Sequence, residues 1–215
     1  MPEGGAVAPR LFATRELPPG HPWRRALEAE GFAVTAYSLL AFEPVTAGEP
    51  PACDWVFVYS RTGARFGAAA LAALAPETRV AAMGPGTAEA LRAVGRDPDF
   101  VGAGDPGPVA AAFATAAGPG ARVAFVQAAN SRRSVERLLG DRIRPLPYVV
   151  YRSRVDPARA APPAEAYLLT SPLNAEAALA HADPSAEFRV LGETTAAWCR
   201  ARGLATRRWT PPAET

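Results

Sequence analysis

The sequence predicts an α/β fold built from two similar domains with parallel sheets, one domain inserted into the other. Short apolar, β-branched runs alternate with Ala-, Leu- and Arg-rich helical patterns along the 215 residues, which is typical of parallel strands joined by helices. Two stretches rich in proline, alanine and charge, 43–52 and 156–165, break this alternation in the way that domain crossings would. A repeat with matching spacing relates the two resulting blocks.

The elements follow in chain order from these patterns. Strand patterns occupy 11–14, a segment from 32, 55–59, 80–83, 100–101, 123–127, 148–151, 167–170, 189–191 and 206–209. Helical patterns occupy 22–30, 66–74, 87–94, 109–116, 133–139, 175–180 and 195–202. The first helix shows the expected punctuation, because Pro22 suits a first helical turn and Gly31 suits a stop.

The repeat consists of a strand ending in serine, a helix, a strand ending in glycine and a second helix. Ser60 and Ser171 are the matching serines. The second parts share the spacings 3, 5 and 3 at Gly84, Thr87, Arg92 and Gly95 and at Gly192, Thr195, Arg200 and Gly203. Two separate blocks with this order predict two domains of the same architecture.

Five strands fall in each block, which predicts five-stranded parallel sheets of the flavodoxin-like kind, with ligands at the carboxyl ends of the strands. We expect an inserted inner domain over 45–150 and a discontinuous outer domain over 1–38 plus 157–215. The segments 39–44 and 151–156 then form a two-strand crossing between the domains.

Composition excludes several classes of function. The net charge of +2 is too small for a nucleic-acid-binding groove, and no apolar run approaches the roughly 20 residues of a membrane span. The amino terminus lacks the layout of a signal peptide, so we expect a cytoplasmic protein. No coiled-coil pattern is present, and a monomer is expected.

The chemistry of the side chains narrows the function further. Cys53 and Cys199 lie too far apart in the chain to suggest a disulfide framework, and His21 and His181 lack partners at metal-ligand spacing. The chain contains no lysine, which excludes Schiff-base chemistry on a lysine. An anionic ligand must therefore be held by arginine, hydroxyl or backbone N–H groups.

Candidate binding residues follow the strand ends. Ser60 and Arg61 come directly after one strand, and Thr87 follows a Gly-Pro-Gly turn, where we expect it to cap the next helix. Ser171, Thr194 and Thr195 repeat the arrangement in the outer block, so the two sets could face each other across a cleft. Helix amino termini favour anions, although a turn and a cap would explain either motif alone. The segment matches neither a Walker A loop nor a dinucleotide fingerprint.

Two further groups of side chains are candidates. Tyr148 and Tyr151 lie on opposite faces of the crossing strand, where a phenol could donate a hydrogen bond to a ligand or simply pack. Arg132 and Arg133 follow the strand 123–127, either as ligands for an anion or as a solvated turn.

Seven segments in this order and spacing resemble the uroporphyrinogen-III synthase family over nearly the whole chain. They are FATR, DWVFVYSR, VAAMGPGTAEALRAVGRDPDFV, RVAFVQAANSRRSVERLL, PYVVYRS, AYLLTSP and VLGETTAAWCRARG. The resemblance implies a lyase of haem and porphyrin biosynthesis that cyclises hydroxymethylbilane to uroporphyrinogen III, with ring D inverted and water lost. It implies no cofactor and no metal. It also implies a linear tetrapyrrole substrate with eight carboxylates and hydroxymethylbilane synthase as an upstream partner, with no nucleic-acid or membrane partner.

The resemblance also implies roles for individual residues. Tyr151 matches the family's tyrosine on the crossing strand and is expected to assist departure of the hydroxyl. The expected substrate-binding residues are Arg15, Ser60, Arg61, Thr62, Gly86, Thr87, Ala88, Arg132, Ser171, Pro172, Thr194 and Thr195.

The chain departs from the family pattern at a few positions. Thr62 and Gly63 replace the usual Asn-Ala, Gln127 stands where arginine is common, and Glu193 replaces the usual proline before the two threonines. These changes concern single contacts with the substrate. A non-catalytic binding or regulatory module that resembles the synthase remains the alternative function.

Overall fold

The computed structural model describes residues 7–212, which form two compact units. One unit contains the chain up to Ala41 and from Arg154 onward, and the other contains Phe42–Ser153. The terminal parts of the predicted outer domain, residues 1–6 and 213–215, lie outside the described residues. We call these two bodies the outer unit and the inner unit.

The described residues contain parallel strands and intervening helices, as expected. The strands are β1 (Arg10–Ala13), β2 (Ala33–Ala36), β3 (Leu40–Pro44), β4 (Trp55–Val58), β5 (Arg79–Ala82), β6 (Phe100–Val101), β7 (Arg122–Ala128), β8 (Arg144–Val155), β9 (Ala166–Leu169), β10 (Glu187–Val190) and β11 (Arg207–Arg208). The helices are α1 (Pro22–Ala29), α2 (Arg61–Phe66), α3 (Ala68–Ala72), α4 (Pro85–Ala93), α5 (Pro106–Ala117), α6 (Ser134–Leu139), α7 (Pro172–Leu179) and α8 (Glu193–Arg200), with a 3₁₀ turn at Gly140–Arg142. The α/β fold class is confirmed.

The outer sheet has the order β11-β10-β9-β1-β2, and its pairings are parallel. Numbered along the chain, this is the 2-1-3-4-5 order of flavodoxin-like sheets. The inner sheet has the order β3-β8-β7-β4-β5-β6. The inner unit was expected to hold five strands and instead holds six, because β3, predicted as part of a crossing, pairs beside β8 at the sheet edge.

The two sheets have the same arrangement when the outer one is read from β9. Strands β9, β10 and β11 then correspond to β4, β5 and β6, and β1 and β2 correspond to β7 and β8. The two units are therefore circularly permuted copies in strand order. This explains why the serine-ending strands of the sequence repeat occupy equivalent central places in their sheets.

Each sheet is covered by helices on both faces. Within β4, Val56 and Val58 pack towards α2, α3 and α4, whereas Trp55 and Phe57 pack towards α5 and α6. In the outer unit, α7 and α8 cover one face and α1 covers the other. All four residues of β4 and of β9 are buried, as expected for central parallel strands.

Most of the helices after strands begin earlier than the apolar pattern suggested. Pro85, Pro106 and Pro172 each occupy the first helical turn, two to three residues before the predicted start. A proline costs nothing at that position, because its missing N–H would have no partner within the helix. The helix starts therefore lie closer to the strand ends than expected. No helix in the described part of the chain is long and apolar enough to span a bilayer.

Candidate functional site

The hydroxyl groups of Tyr151 and Ser60 meet at the carboxyl end of β4. The two oxygens are 3.2 Å apart, and either can be the donor. Ser60 also caps α2, since its Oγ accepts the backbone N–H of Gly63 at 3.0 Å. Tyr151 is 8% exposed, and its ring stacks on Phe66 and contacts the edge of Phe42. The phenol is therefore fixed by packing and placed beside a strand-end hydroxyl.

The other candidate tyrosine, Tyr148, has a structural contact. Its hydroxyl donates to the carbonyl of Gly48 at 2.8 Å, which anchors the segment after β3. Burial raises the pKa of Tyr148. The sequence left open whether Tyr148 contacts a ligand or packs within the protein. Its contacts are those of a packed strand residue.

Arg61 and Gly86 form the second contact of the inner unit. The Arg61 Nε donates to the carbonyl of Gly86 at 3.1 Å, and its Nη2 lies 4.0 Å from the Glu89 carboxylate. A Cβ atom on Gly86 would lie 2.3 Å from that Nη2. Glycine is thus needed here for the close approach of the guanidinium. Arg61 and Thr62 line a groove of about 310 Å³, together with Arg65, Ala90, Ala93 and Val94.

Thr87 does not cap α4, so that prediction is wrong. Gly84 is the N-cap, and Thr87 is the third helical residue, 7% exposed. The N–H groups of Thr87 and Ala88 both donate to the carbonyl of Gly84 at 3.0 Å. The N–H of Gly86, at the second helical position, has no acceptor within the helix and is the amide of this turn that a ligand can use.

The carboxyl end of β7 leads into an exposed basic turn. Arg132 is exposed, and Arg133 has a left-handed backbone with φ of 53° before α6. Arg133 Nη1 lies 4.0 Å from Oε1 of the buried Glu136. The helix begins one residue later than predicted. Gln127, which replaces an expected arginine, is 1% exposed and has no hydrogen-bond partner among the described residues.

Tyr59 lies beside this turn and is not a good acid. Its hydroxyl accepts the backbone N–H of Glu136 at 3.1 Å. Burial raises the pKa of Tyr59 to about 12. This makes Tyr59 a packing residue rather than a proton donor near neutral pH.

Ser171 repeats the role of Ser60 in the outer unit. It caps α7, in which Pro172 is the first residue, and its Oγ accepts the backbone N–H of Asn174 at 3.2 Å. The amide side chain of Asn174 also contacts Ser171 Oγ at 3.1 Å and Thr170 Oγ1 at 3.3 Å. Thr170 in turn binds Thr14 at the end of β1.

Asn174, Thr170 and Thr14 were not predicted as site residues. The signal for Asn174 lay in the repeat, where Ser60 is followed three residues later by Gly63 and Ser171 by Asn174. Unlike Gly63, Asn174 has a side chain that contacts the serine a second time. The hydroxyl network itself depends on strand pairing between β1 and β9, which the local sequence does not reveal.

The start of α8 presents hydroxyl and N–H groups. Gly192 is the N-cap, so Thr194 and Thr195 occupy the first turn, where backbone N–H groups lack helical acceptors. Thr194 is exposed, whereas Thr195 is 5% exposed. The Glu193 carboxylate lies at this turn and forms an ion pair with Arg200. Its charge is thus countered within the helix.

Arg15 follows β1 at the same sheet edge. Its guanidinium lies over the ring of Trp23 at 4.0 Å from the centroid, which fixes the side chain through a cation–π contact. The predicted residues therefore lie at the carboxyl edges of their own sheets: those of the inner unit after β4, β5 and β7, and those of the outer unit after β1, β9 and β10.

Neither thiols nor metal clusters add to these edges. Cys53 and Cys199 are free, and burial raises the pKa of both thiols. Within residues 7–212, no three His, Cys, Asp or Glu side chains are grouped so that they could hold a metal ion. The chemistry available at the strand ends consists of hydroxyl, guanidinium and backbone N–H donors, which suits a polyanionic ligand.

Comparison with known proteins gives one family. The sequence profile described as uroporphyrinogen-III synthase HemD matches residues 21–214. A crystal structure of a mutant uroporphyrinogen III synthase from Thermus thermophilus is 19% identical, with a TM-score of 0.58, covering 97% of this chain and 94% of that one. The uroporphyrinogen-III synthetase of Helicobacter pylori is 14% identical, with a TM-score of 0.64 and coverages of 95% and 94%. At these identities the two structures show a shared fold. No curated protein sequence gives a significant match.

Proposed function

The chain belongs to the uroporphyrinogen-III synthase family, and we propose that it cyclises hydroxymethylbilane, a linear tetrapyrrole, to uroporphyrinogen III with inversion of ring D and loss of water. The observation that carries the proposal is the Tyr151–Ser60 hydroxyl pair at a strand end, in a chain whose profile match covers residues 21–214. Haem and porphyrin biosynthesis is the corresponding process.

The carboxylates of the substrate are proposed to bind the donors at the strand ends. Eight carboxylates need many donors, and each hydrogen bond to a charged group contributes about 1.5–3 kcal/mol. The exposed or half-buried groups best placed for this are Arg15, Arg61, Arg132, the hydroxyls of Ser171 and Thr194, and the Gly86 N–H. The buried Thr87, Ala88 and Thr195 are proposed to shape these turns, beside Thr62 and Pro172.

Tyr151 is proposed to assist the chemical step. Its hydroxyl donates a proton to the departing hydroxyl group of the substrate as the carbon–oxygen bond breaks, so that this group leaves as water. The proton is restored from the pyrrole carbon that loses hydrogen when the ring closes. Ser60 orients the phenol through the 3.2 Å contact. Holding the chain in the inverted arrangement supplies the rest, because orientation alone can lower a barrier by several kcal/mol.

The test is a coupled assay in which hydroxymethylbilane is generated in place, this protein is added, and the oxidised products are separated as isomers I and III. We expect isomer III in excess of the uncatalysed isomer I. Isomer I alone, with a folded protein, would contradict the enzyme and favour a non-catalytic binding module that has kept the fold.

Gly86→Ala tests the proposed contacts at α4. We expect KM to rise about tenfold, as for loss of one hydrogen bond to charge, because the new methyl group displaces the Arg61 guanidinium from the Gly86 carbonyl. The melting temperature should change little, since alanine suits a helix. Gly107→Ala, in the first turn of α5, is the matched control and should leave KM unchanged, because the new methyl group would meet only the Asp105 Oδ1, at 4.0 Å. An unchanged KM in Gly86→Ala would remove Arg61 and Gly86 from binding.

We also propose that the protein acts in the cytoplasm as a monomer. Two free cysteines fit a reducing compartment. Sedimentation of the purified protein at several concentrations checks the oligomeric state.

A further inference from the structure

In the hydroxyl network around Ser171, the protons of two neighbouring threonine hydroxyls are already used. Thr14 Oγ1 lies 3.0 Å from the carbonyl of Leu168, and Thr170 Oγ1 lies 3.2 Å from the carbonyl of Thr14. A carbonyl oxygen can only accept, so each of these contacts uses the single proton of its threonine hydroxyl. The two hydroxyl oxygens also lie 3.1 Å apart, a contact that can share the Thr170 proton but leaves none for a third partner, so Thr170 has only acceptor capacity left.

This assigns the orientation of the Asn174 amide, in which the buried Oδ1 has no hydrogen-bond partner among the described residues. The atom of Asn174 that lies 3.3 Å from Thr170 Oγ1 must be the donor, that is Nδ2. The same nitrogen lies 3.1 Å from Ser171 Oγ, to which it gives its second hydrogen. Asn174 is 7% exposed, so water does not compete easily for these hydrogens.

Ser171 is left with one role. Its oxygen accepts the Asn174 backbone N–H at 3.2 Å and the Asn174 Nδ2–H at 3.1 Å, which fills both lone pairs of the hydroxyl. Neither bond uses the hydroxyl proton. The Ser171 hydroxyl can therefore make its remaining hydrogen bond only by donating.

We propose that Asn174 is a positioning residue that makes Ser171 an obligate hydrogen-bond donor and so selects an ionised carboxylate of the substrate at the start of α7. This inference rests on the proposed function, because the tetrapyrrole supplies the carboxylates. An ionised carboxylate only accepts hydrogen bonds and needs no rearrangement of this network. A neutral hydroxyl or a protonated acid gains less from a fixed donor.

The inner unit has a looser version of the same arrangement. Ser60 accepts the N–H of Gly63, and its second partner is the Tyr151 hydroxyl, which can donate or accept. Gly63 has no side chain that could fix the direction of that bond. The two equivalent serines are thus proposed to have different roles. Ser171 donates a hydrogen bond to the substrate, and Ser60 can either donate to Tyr151 or accept from it.

Asn174→Ala and Asn174→Asp test the proposal through KM. The alanine variant loses the fixed donor, and we expect KM to rise about tenfold with kcat within twofold, as for one charge-assisted hydrogen bond. In the aspartate variant the introduced carboxylate accepts the hydrogen bond from the Ser171 hydroxyl and repels the substrate. We expect KM to rise about a hundredfold at pH 8, through the lost bond and like-charge repulsion together.

The pH dependence separates positioning from a merely structural role. As the pH falls towards about 4, the ordinary pKa of aspartate, the introduced carboxyl of the aspartate variant binds a proton and can donate again, so its KM relative to wild type should fall. The alanine variant should show no such change. Ala180→Asp, which adds the same charge to the exposed far end of α7, is the control and should keep a wild-type KM. Equal KM values for all three variants and wild type would overturn the proposal, as would a loss confined to kcat.

A measurement on the unmodified protein keeps the proposal independent of turnover and of variant folding. Both side-chain amide hydrogens of Asn174 should exchange with solvent more slowly in NMR spectra than those of the exposed Asn130, the other asparagine of the chain. Fast exchange at Asn174 would overturn the assigned network. If wild type produces no isomer III while the amide of Asn174 is protected, the proposed function fails and the donor network stands.

Discussion

Tyr151→Phe is expected to lower kcat by one to two orders of magnitude while leaving the fold and KM nearly unchanged. The substitution removes the hydroxyl that lies 3.2 Å from Ser60 and that we propose donates to the departing group. A positioned acid–base group typically contributes ~10²–10⁴-fold, and the lower end applies because the hydroxymethyl group can also leave unassisted. The measurement is the rate of isomer III formation in the coupled assay, with the melting temperature recorded for each protein.

The Tyr151 ring is held by packing contacts that a phenylalanine ring can also make. Phenylalanine keeps the stacking on Phe66, with centroids 5.4 Å apart, and the edge contact with Phe42. Only the oxygen and its hydrogen bond are removed. The loss of rate can therefore be assigned to the hydroxyl and not to a cavity in the core.

Tyr148→Phe is the matched control on the same strand. It removes the hydroxyl that donates to the Gly48 carbonyl, so we expect a loss of about 1 kcal/mol in the free energy of unfolding and a wild-type kcat. Wild-type turnover in Tyr151→Phe would remove Tyr151 from the mechanism. An equal loss of kcat in both variants would show that the loss in Tyr151→Phe comes from a change in the structure of the strand and not from the missing proton donor.

The sequence predicted the strand ends well because they are marked twice, by a buried apolar run and by a serine that can cap the next helix. Ser60 and Ser171 satisfy both conditions, and both are N-caps with extended backbones. The alternation from apolar strand to helix also predicted the α/β class. These features are local, so a single sequence is enough to reveal them.

The features that were missed depend on neighbours in space. Thr87 was expected to cap α4 because threonine is a common cap, but Pro85 can begin a helix and moves the cap back to Gly84. Asn174 looked like an ordinary helix residue, since its partners Thr170 and Thr14 come together only when β9 pairs with β1. Strand β3 was assigned to the two-strand crossing and not counted in the inner sheet, because its pairing with β8 is not visible in the local sequence.

Arg189→Ala is expected to lower the free energy of unfolding by about 3 kcal/mol, the largest change in stability that we predict. The Arg189 side chain is 5% exposed and forms ion pairs with Glu30 and Glu187, the latter at 2.8 Å, beneath the ring of Phe32. Removing one partner of a buried pair typically costs ~3–5 kcal/mol. The lower end applies because both carboxylates are more than a third exposed and can recover some hydration. Urea unfolding at pH 7 measures the change.

Arg207→Ala is the control, because Arg207 also pairs with Glu187, at 3.7 Å, but is 75% exposed. An exposed pair of this kind is worth at most about 1 kcal/mol, so we expect a change below that value. Equal losses in the two variants would show that burial of Arg189 adds nothing to the pair.

Acid gives an independent check of the same network. Burial acts to raise the pKa of Glu30, but the hydrogen bonds from Arg189 and Trp209 outweigh it and hold that pKa below its usual 4.5. Because the unfolded chain then binds the proton more readily, Glu30 stabilises the fold above pH 4.5, and this contribution is lost as the pH falls through the lowered pKa. In Arg189→Ala the pKa of Glu30 returns towards or above 4.5, so stability should depend less on pH between 6 and 3. The difference between wild type and variant should therefore shrink in acid. A constant difference across this range would mean that Arg189 stabilises the outer unit by packing against Phe32 and not by its charge.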